Sequence, residues 1–257
     1  MIAPIPKLIR ATRTLNILGA IPPWEAPTGQ AIKLVKASSQ YLTVGDPTEL
    51  AITSDLTIQF DVKFSAFPGG GQVAALVMRS DRSVKRCYEV FLYDSSKRLY
   101  FDVDFGDGSH ADQRNHYYIW GAATLGVWYR IRMSLDASTR TMKLFIDGVL
   151  TSWSTGSSSG SGTTINSEAM DVMFGGHPAP STVGNFADCI LDNLLIANTY
   201  TATFTESATE TPDDTYLANM AGLWLMDEMD GTTLVDAING NDATAVGSPE
   251  LVEGFNA

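Results

Sequence analysis

Carboxylates in strand-like surroundings are the first places to look for chemistry. In Phe101–Phe105, FDVDF, Asp102 and Asp104 occupy alternate positions, so on a strand both point to one face. Paired carboxylates can act as acid and base or bind a cation or substrate; a solvated outer face is the commoner reason for them. A second run, Met226-Asp227-Glu228-Met229-Asp230, places Asp227 with Met229 on one face and Glu228 with Asp230 on the other. Position 232 is Thr, so a third carboxylate in step is missing. The stretch HADQRNHYYIW (110–120) is different in kind, with His116, Tyr117, Tyr118 and Trp120 beside Asp112, Gln113, Arg114 and Asn115. Rings stack on the apolar faces of sugars and amides bind their hydroxyls, which makes this loop the best sugar-binding patch, with Asn115 among its polar groups. The competing reading is that Tyr118 and Trp120 alternate into a core, and it is the favoured one. No nucleophile elbow, phosphate-cradling Gly loop or Cys–His pair is present.

The bulk properties exclude several classes. The chain has 257 residues and 44% hydrophobic composition, enough for a well-buried core in one large β domain. No apolar run approaches the roughly 20 residues that span a bilayer. Cys87 and Cys189 have no Cys or His at metal-ligand spacing, so buried free thiols are expected rather than a disulfide. His110, His116 and His177 are scattered, which argues against a His-based zinc site. Net charge is −12, and an acidic body repels phosphate, so nucleic acid is not expected as a partner. The first 23 residues invert this balance: Lys7, Arg10 and Arg13 stand there without an acidic residue, in a Pro-rich segment suited to docking on an acidic neighbour. A frayed terminus is the alternative. Leu15–Ile21 is too short and too Pro-flanked for a signal peptide, so the chain is expected to be made in a cytoplasm without a secretion signal.

Strands dominate the pattern. In residues 49–64, Leu56, Ile58, Phe60, Val62 and Phe64 alternate with Thr57, Gln59, Asp61 and Lys63, one face buried and one wet. Residues 87–105 read as a hairpin turning at Asp94–Lys97. Residues 128–148 read as another, turning at Asp136–Arg140 and followed by a tight Asp147-Gly148 turn. Further strands are expected at 30–36, 41–44, 72–78, 170–175, 186–197 and 222–226. GSSSGSG (156–162) reads as a flexible loop, and 205–215 as a polar connector. Many short strands separated by turn signals indicate an all-β antiparallel β-sandwich or jelly roll.

Four stretches carry a family resemblance: ASSQYLTVGDPTELAITSDLTIQFDVKF (37–64), WYRIRMSLDASTRTMKLFIDGVL (128–150), FADCILDNLLIANTYT (186–201) and GLWLMDEMDGTTLVDAINGNDATAVG (222–247). Together they resemble a laminin-G-like jelly roll of the concanavalin A-like lectin/glucanase superfamily, with the family's first strand placed at the C-terminus. With the basic arm and polar connector read from composition, the expected order is an N-terminal docking arm (1–24), the jelly roll (25–204), a connector (205–221) and a C-terminal segment (222–257). That last segment completes the same or a neighbouring sandwich. Structural calcium is the cofactor the resemblance implies, with Asp192 and the loop Asp236–Asp242 as candidate ligands; good turn formers explain these residues equally well and are preferred. Some glucanases of this fold use Glu-x-Asp-x-(x)-Glu on one strand, and the run at 226–230 departs from it, so no catalysis is expected.

Function is less constrained than fold. The permuted arrangement resembles that of proteins in phage structural modules, and this resemblance, with the basic arm and acidic body, implies a non-enzymatic bacteriophage virion protein, a head decoration or tail component. It would form homo-oligomers, dock on other virion proteins and contact host glycans. A soluble carbohydrate-binding lectin domain is the alternative, and a glycoside hydrolase is less favoured.

Overall fold

Strand β3 (Leu56–Ala66) shows how alternation becomes architecture. Leu56, Ile58, Phe60, Val62 and Phe64 are buried to the last few per cent, as period two demands of a strand with one face on a core. The computed structural model describes residues 29–81, 85–106, 112–177, 185–203, 219–226 and 229–255. Lys7, Arg10, Arg13, the connector 205–215, His110 and Asp227–Glu228 lie outside the described residues.

Two sheets face each other across one core. The first runs, in spatial order, β10 (Val149–Thr151), β9 (Thr141–Ile146), β8 (Trp128–Asp136), β3, β13 (Asp188–Ala197), β1 (Gln30–Leu34) and β18 (Glu250–Glu253), with β14 (Met220–Trp224) also paired to β13. The second runs β11 (Ser154–Ser158), β7 (Gln113–Ile119), β6 (Arg98–Asp104), β5 (Arg86–Tyr93), β4 (Val73–Ser80), β12 (Val172–Phe174), β2 (Tyr41–Gly45), β17 (Ala243–Val246), β16 (Thr233–Leu234) and β15 (Met229–Asp230). All pairings are antiparallel. The fold is thus the all-β antiparallel sandwich the sequence indicates.

The hairpins close by local chemistry. Between β5 and β6, Asp94 and Lys97 take positive φ, and the Asp94 carboxylate accepts the Ser96 N–H at 2.5 Å. Between β8 and β9, Asp136 accepts the Ser138 hydroxyl at 2.7 Å and the Thr139 N–H at 3.1 Å. Asp147 and Gly148, both at positive φ, turn the chain into β10.

Two expectations change. GSSSGSG is not all loop, since Gly156, Ser157 and Ser158 belong to edge strand β11. The outer face of β3 is only partly wet: Gln59 and Lys63 are half-buried, whereas Thr57 and Asp61 are fully buried. Thr57 donates to the Thr199 carbonyl at 2.7 Å, and Asp61 accepts from Arg130 Nε at 2.8 Å, Arg130 Nη2 at 3.1 Å and Asn193 Nδ2 at 2.8 Å. Phe255 covers this cluster, its ring 4.9 Å from the Arg130 guanidinium and 5.7 Å from Trp128. The two cysteines are buried free thiols, as expected; burial raises the Cys87 pKa to about 11 and pushes Cys189 higher.

The C-terminal segment joins both sheets of its own chain. β14 pairs with β13, β17 with β2, and β18 with β1. Trp224 of β14 is fully buried, 4.9 Å from the Phe174 ring of the opposite sheet, and its indole N–H donates to the Asn241 carbonyl at 3.1 Å. Gly222 makes room for it, because a Cβ there would run into the indole. Removing this ring leaves a cavity between the sheets. Trp224→Ala is expected to lower unfolding free energy by about 3–5 kcal/mol in a denaturant titration. A loss below about 1 kcal/mol would mean that the segment is not part of the cooperative core.

Candidate functional site

The open face of the second sheet is built by register. Val90 and Leu92 of β5 and Leu99, Phe101 and Val103 of β6 face the core and are fully buried. Their neighbours in sequence therefore face outward. Antiparallel pairing aligns those neighbours across three strands: Phe91 with Tyr100 and Tyr100 with Tyr117, Glu89 with Asp102 and Asp102 with Asn115, and Asp104 with Gln113. An aromatic row and a polar row thus lie side by side, both running across the strands.

The rings are in contact. Phe91 and Tyr100 stack at 4.9 Å with planes 9° apart. Tyr117 follows at 5.4 Å, and Tyr93 meets Tyr100 edge-on at 6.2 Å and 84°. The Arg98 guanidinium lies 5.6 Å from the Tyr117 ring. Beside them is an open groove of about 420 Å³ lined by Val73, Arg86, Phe91, Tyr93, Tyr100, Asp102, Gln113 and Asn115. Its polar floor is charged and compensated: Arg86 Nε stands 3.7 Å from Glu89 Oε1, and Arg86 Nη1 stands 3.6 Å from Asp102 Oδ2. Glu89 is fully buried, and Asp102 is 6% exposed.

Edge strand β11 pairs with β7 and supports its groove-lining residues Gln113 and Asn115. Gln113 Nε2 donates to the Ser157 hydroxyl at 2.6 Å. Gly156 is required opposite Asn115, since a Cβ there would overlap the Asn115 side-chain oxygen. Arg140 fastens this corner from the β8–β9 turn: it donates to Asp112 at 2.7 Å, the Gln113 carbonyl at 3.0 Å and the Ser159 carbonyl at 2.8 Å, above the Phe105 ring at 4.4 Å. The first sheet offers no equivalent face on β3, where Asp61 and Thr57 are already covered.

Residues 36–203 match a laminin-G-like family model described as the concanavalin A-like lectin/glucanases superfamily. The chain belongs to that superfamily. Among solved structures, it resembles a putative carbohydrate-binding protein from Bacteroides ovatus at 12% identity and a TM-score of 0.61. The match covers 90% of this chain and 62% of that one. It also resembles a heptameric SAP-like pentraxin from Limulus polyphemus at 10% identity and a TM-score of 0.50, covering 89% of this chain and 96% of that one. At these identities the likeness is one of fold. No curated protein matches the sequence.

The lectin-like sandwich divides the predicted sugar residues by strand parity. HADQRNHYYIW is no loop from Gln113 to Ile119 but strand β7. Asn115 lines the groove, and Tyr117 shares its face beside Tyr100. His116 pairs with core-facing Phe101, Tyr118 pairs with Leu99, and Trp120 is buried 4.6 Å from Tyr129 and 6.0 Å from Phe64. His116 and Trp120 are therefore buried on the inner side, and Tyr118 is partly buried against the core. Asp102 and Asp104 do share an outer face, yet they are buried rather than solvated. Phe91, Tyr93 and Tyr100 were not among the residues singled out in the sequence.

The predicted calcium ligands do not fit a cation. Asp236 accepts from the backbone N–H groups of Leu223, Ile238, Asn239 and Asn241, and Asp242 accepts the Asp236 N–H. Asp192 accepts the Asn193 and Phe255 N–H groups. Asp236 and Asp242 thus serve a turn and Asp192 holds the C-terminal segment, and among the described residues no group of three His, Cys, Asp or Glu is arranged to hold a metal.

Burial, aided by nearby Arg114, lowers the His116 pKa to about 4, below its ordinary value of 6.5. The unfolded chain therefore binds the extra proton first, and stability falls as pH drops from about 6.5 towards 4. In His116→Phe, the loss of melting temperature over this window is expected to be smaller than in the parent chain. Equal slopes would show that His116 titrates normally.

Proposed function

We propose that this chain is a non-enzymatic glycan-binding module and that its ligand lies in the groove over β5, β6 and β7. The observation that carries the reading is the registered pair of rows on one face, Phe91–Tyr100–Tyr117 beside Asp102–Asn115, of which Phe91, Tyr100, Asp102 and Asn115 line the groove. Aromatic rings supply apolar contact to sugar C–H surfaces, while carboxylates and amides order the hydroxyls. Half-buried rings fixed by stacking lose little conformational freedom on binding. The likeness in fold to the Bacteroides ovatus protein, a putative carbohydrate-binding protein, supports the same reading.

Binding rather than hydrolysis is favoured because Asp102 is the one carboxylate among the groove's described lining residues, whereas hydrolysis by paired carboxylates needs two across the substrate. The virion role expected from the sequence rests on the basic arm around Lys7, Arg10 and Arg13. That arm lies outside the described residues, and no comparison supports the role.

A glycan array followed by calorimetric titration of the best ligand tests the proposal. Tyr100→Ala and Tyr117→Ala are each expected to weaken binding about tenfold or more, near 1.4 kcal/mol. Val149→Ser, at an exposed edge position of the other sheet, is expected to leave it unchanged. Affinity that survives both tyrosine substitutions would place the ligand elsewhere.

A further inference from the structure

We infer, on the reading that the groove holds a glycan, that it selects sugars without anionic groups and that Asp102 is the residue that refuses acidic ones. Three carboxylates stand on the outer face of β5 and β6: Glu89, Asp102 and Asp104. Arg86 is the cation among the groove's described lining residues, and its guanidinium already stands between Glu89 and Asp102 at 3.7 and 3.6 Å. Its charge is therefore answered within the protein and is not offered as a clamp for a ligand carboxylate or sulfate. Arg98 sits one row further out, over the Tyr117 ring.

Ionised carboxylates only accept hydrogen bonds, so a ligand group placed against Asp102 must donate them. Sugar hydroxyls donate. A uronate, sialate or sulfate group cannot, and it brings a second negative charge against a carboxylate that is 6% exposed. Like charges in so weakly screened a site repel strongly, which is discrimination by an unfavourable contact with the wrong ligand. The net charge of −12 adds a longer-ranged repulsion in the same direction. The two contributions differ in salt dependence: the long-range one fades within a Debye length, about 10 Å at 0.1 M and 3 Å at 1 M, whereas contact with Asp102 persists.

Matched probes separate the possibilities: an oligogalacturonate and its methyl ester, sialyllactose and lactose, and neutral oligomers of glucose and N-acetylglucosamine, each titrated at 0.1 M and 1 M salt. The expected result is that the bound sugars are neutral and that their acidic partners bind about tenfold more weakly or worse, at both salt concentrations. Asp102→Asn keeps the shape and removes the charge, so it should narrow the gap by strengthening the acidic ligand. Gln113→Glu adds a carboxylate to the same floor and should widen the gap, which gives a second readout if Asp102→Asn folds poorly. Acidic sugars that bind as well as neutral ones would overturn the inference and leave the groove a glycan site. So would a gap that vanishes at 1 M salt and ignores both substitutions. Absence of binding by every sugar, or binding indifferent to Tyr100→Ala and Tyr117→Ala, would overturn the reading of the site itself.

Discussion

Antiparallel register between β5, β6 and β7 is the constraint on which both the core and the groove depend. Each strand carries two interleaved sets of side chains. One set, Val90, Leu92, Leu99, Phe101 and Val103, closes the core. The other, Phe91, Tyr93, Tyr100, Asp102, Asn115 and Tyr117, is then obliged to face outward, and pairing lines it up into rows. A slip of one residue in any of these strands would exchange the sets and destroy both at once. The groove is therefore held by the same hydrogen bonds and packing that hold the fold.

Around that unit, the chain supplies supports that fix the groove's walls. Arg140 reaches from the opposite sheet's turn to tie Asp112, Gln113 and Ser159 together. Gly156 lets the serine-rich edge strand come close to Asn115. The C-terminal segment adds strands to both sheets and sets Trp224 between them. A stretch that resembles a family's opening strand thus ends this chain beside β13, the neighbour its pattern suits. On the other sheet, the covered Asp61–Arg130–Asn193 cluster shows what a fully occupied outer face looks like.

Local physics made much of the fold legible. The alternation in β3, the Asp94–Lys97 and Asp136–Arg140 turns and the Asp147-Gly148 turn are all short-range features. The groove face was legible only in part. In β7 the sequence marks an aromatic and polar cluster without saying which alternate residues meet the core, so Asn115 and Tyr117 are separated from His116, Tyr118 and Trp120 only once register is known. Phe91, Tyr93 and Tyr100 look like ordinary hairpin aromatics, because both faces of β5 and β6 are rich in large side chains. Their meeting is a non-local fact of pairing. The signal that could have found them is the outward phase they share once Val90, Leu92, Leu99 and Phe101 are assigned inward. The Asp236 loop bears out the preferred turn reading, since Asp236 caps backbone N–H groups.

The most direct test of the central claim is a map of backbone amide shifts on titrating the best glycan from an array. The account predicts that the largest changes fall on β5, β6 and β7 at residues 89–93, 98–104 and 113–117, with β3 and β8 undisturbed. Changes concentrated in the turns at the ends of the sandwich, or on the outer face of the first sheet, would contradict it.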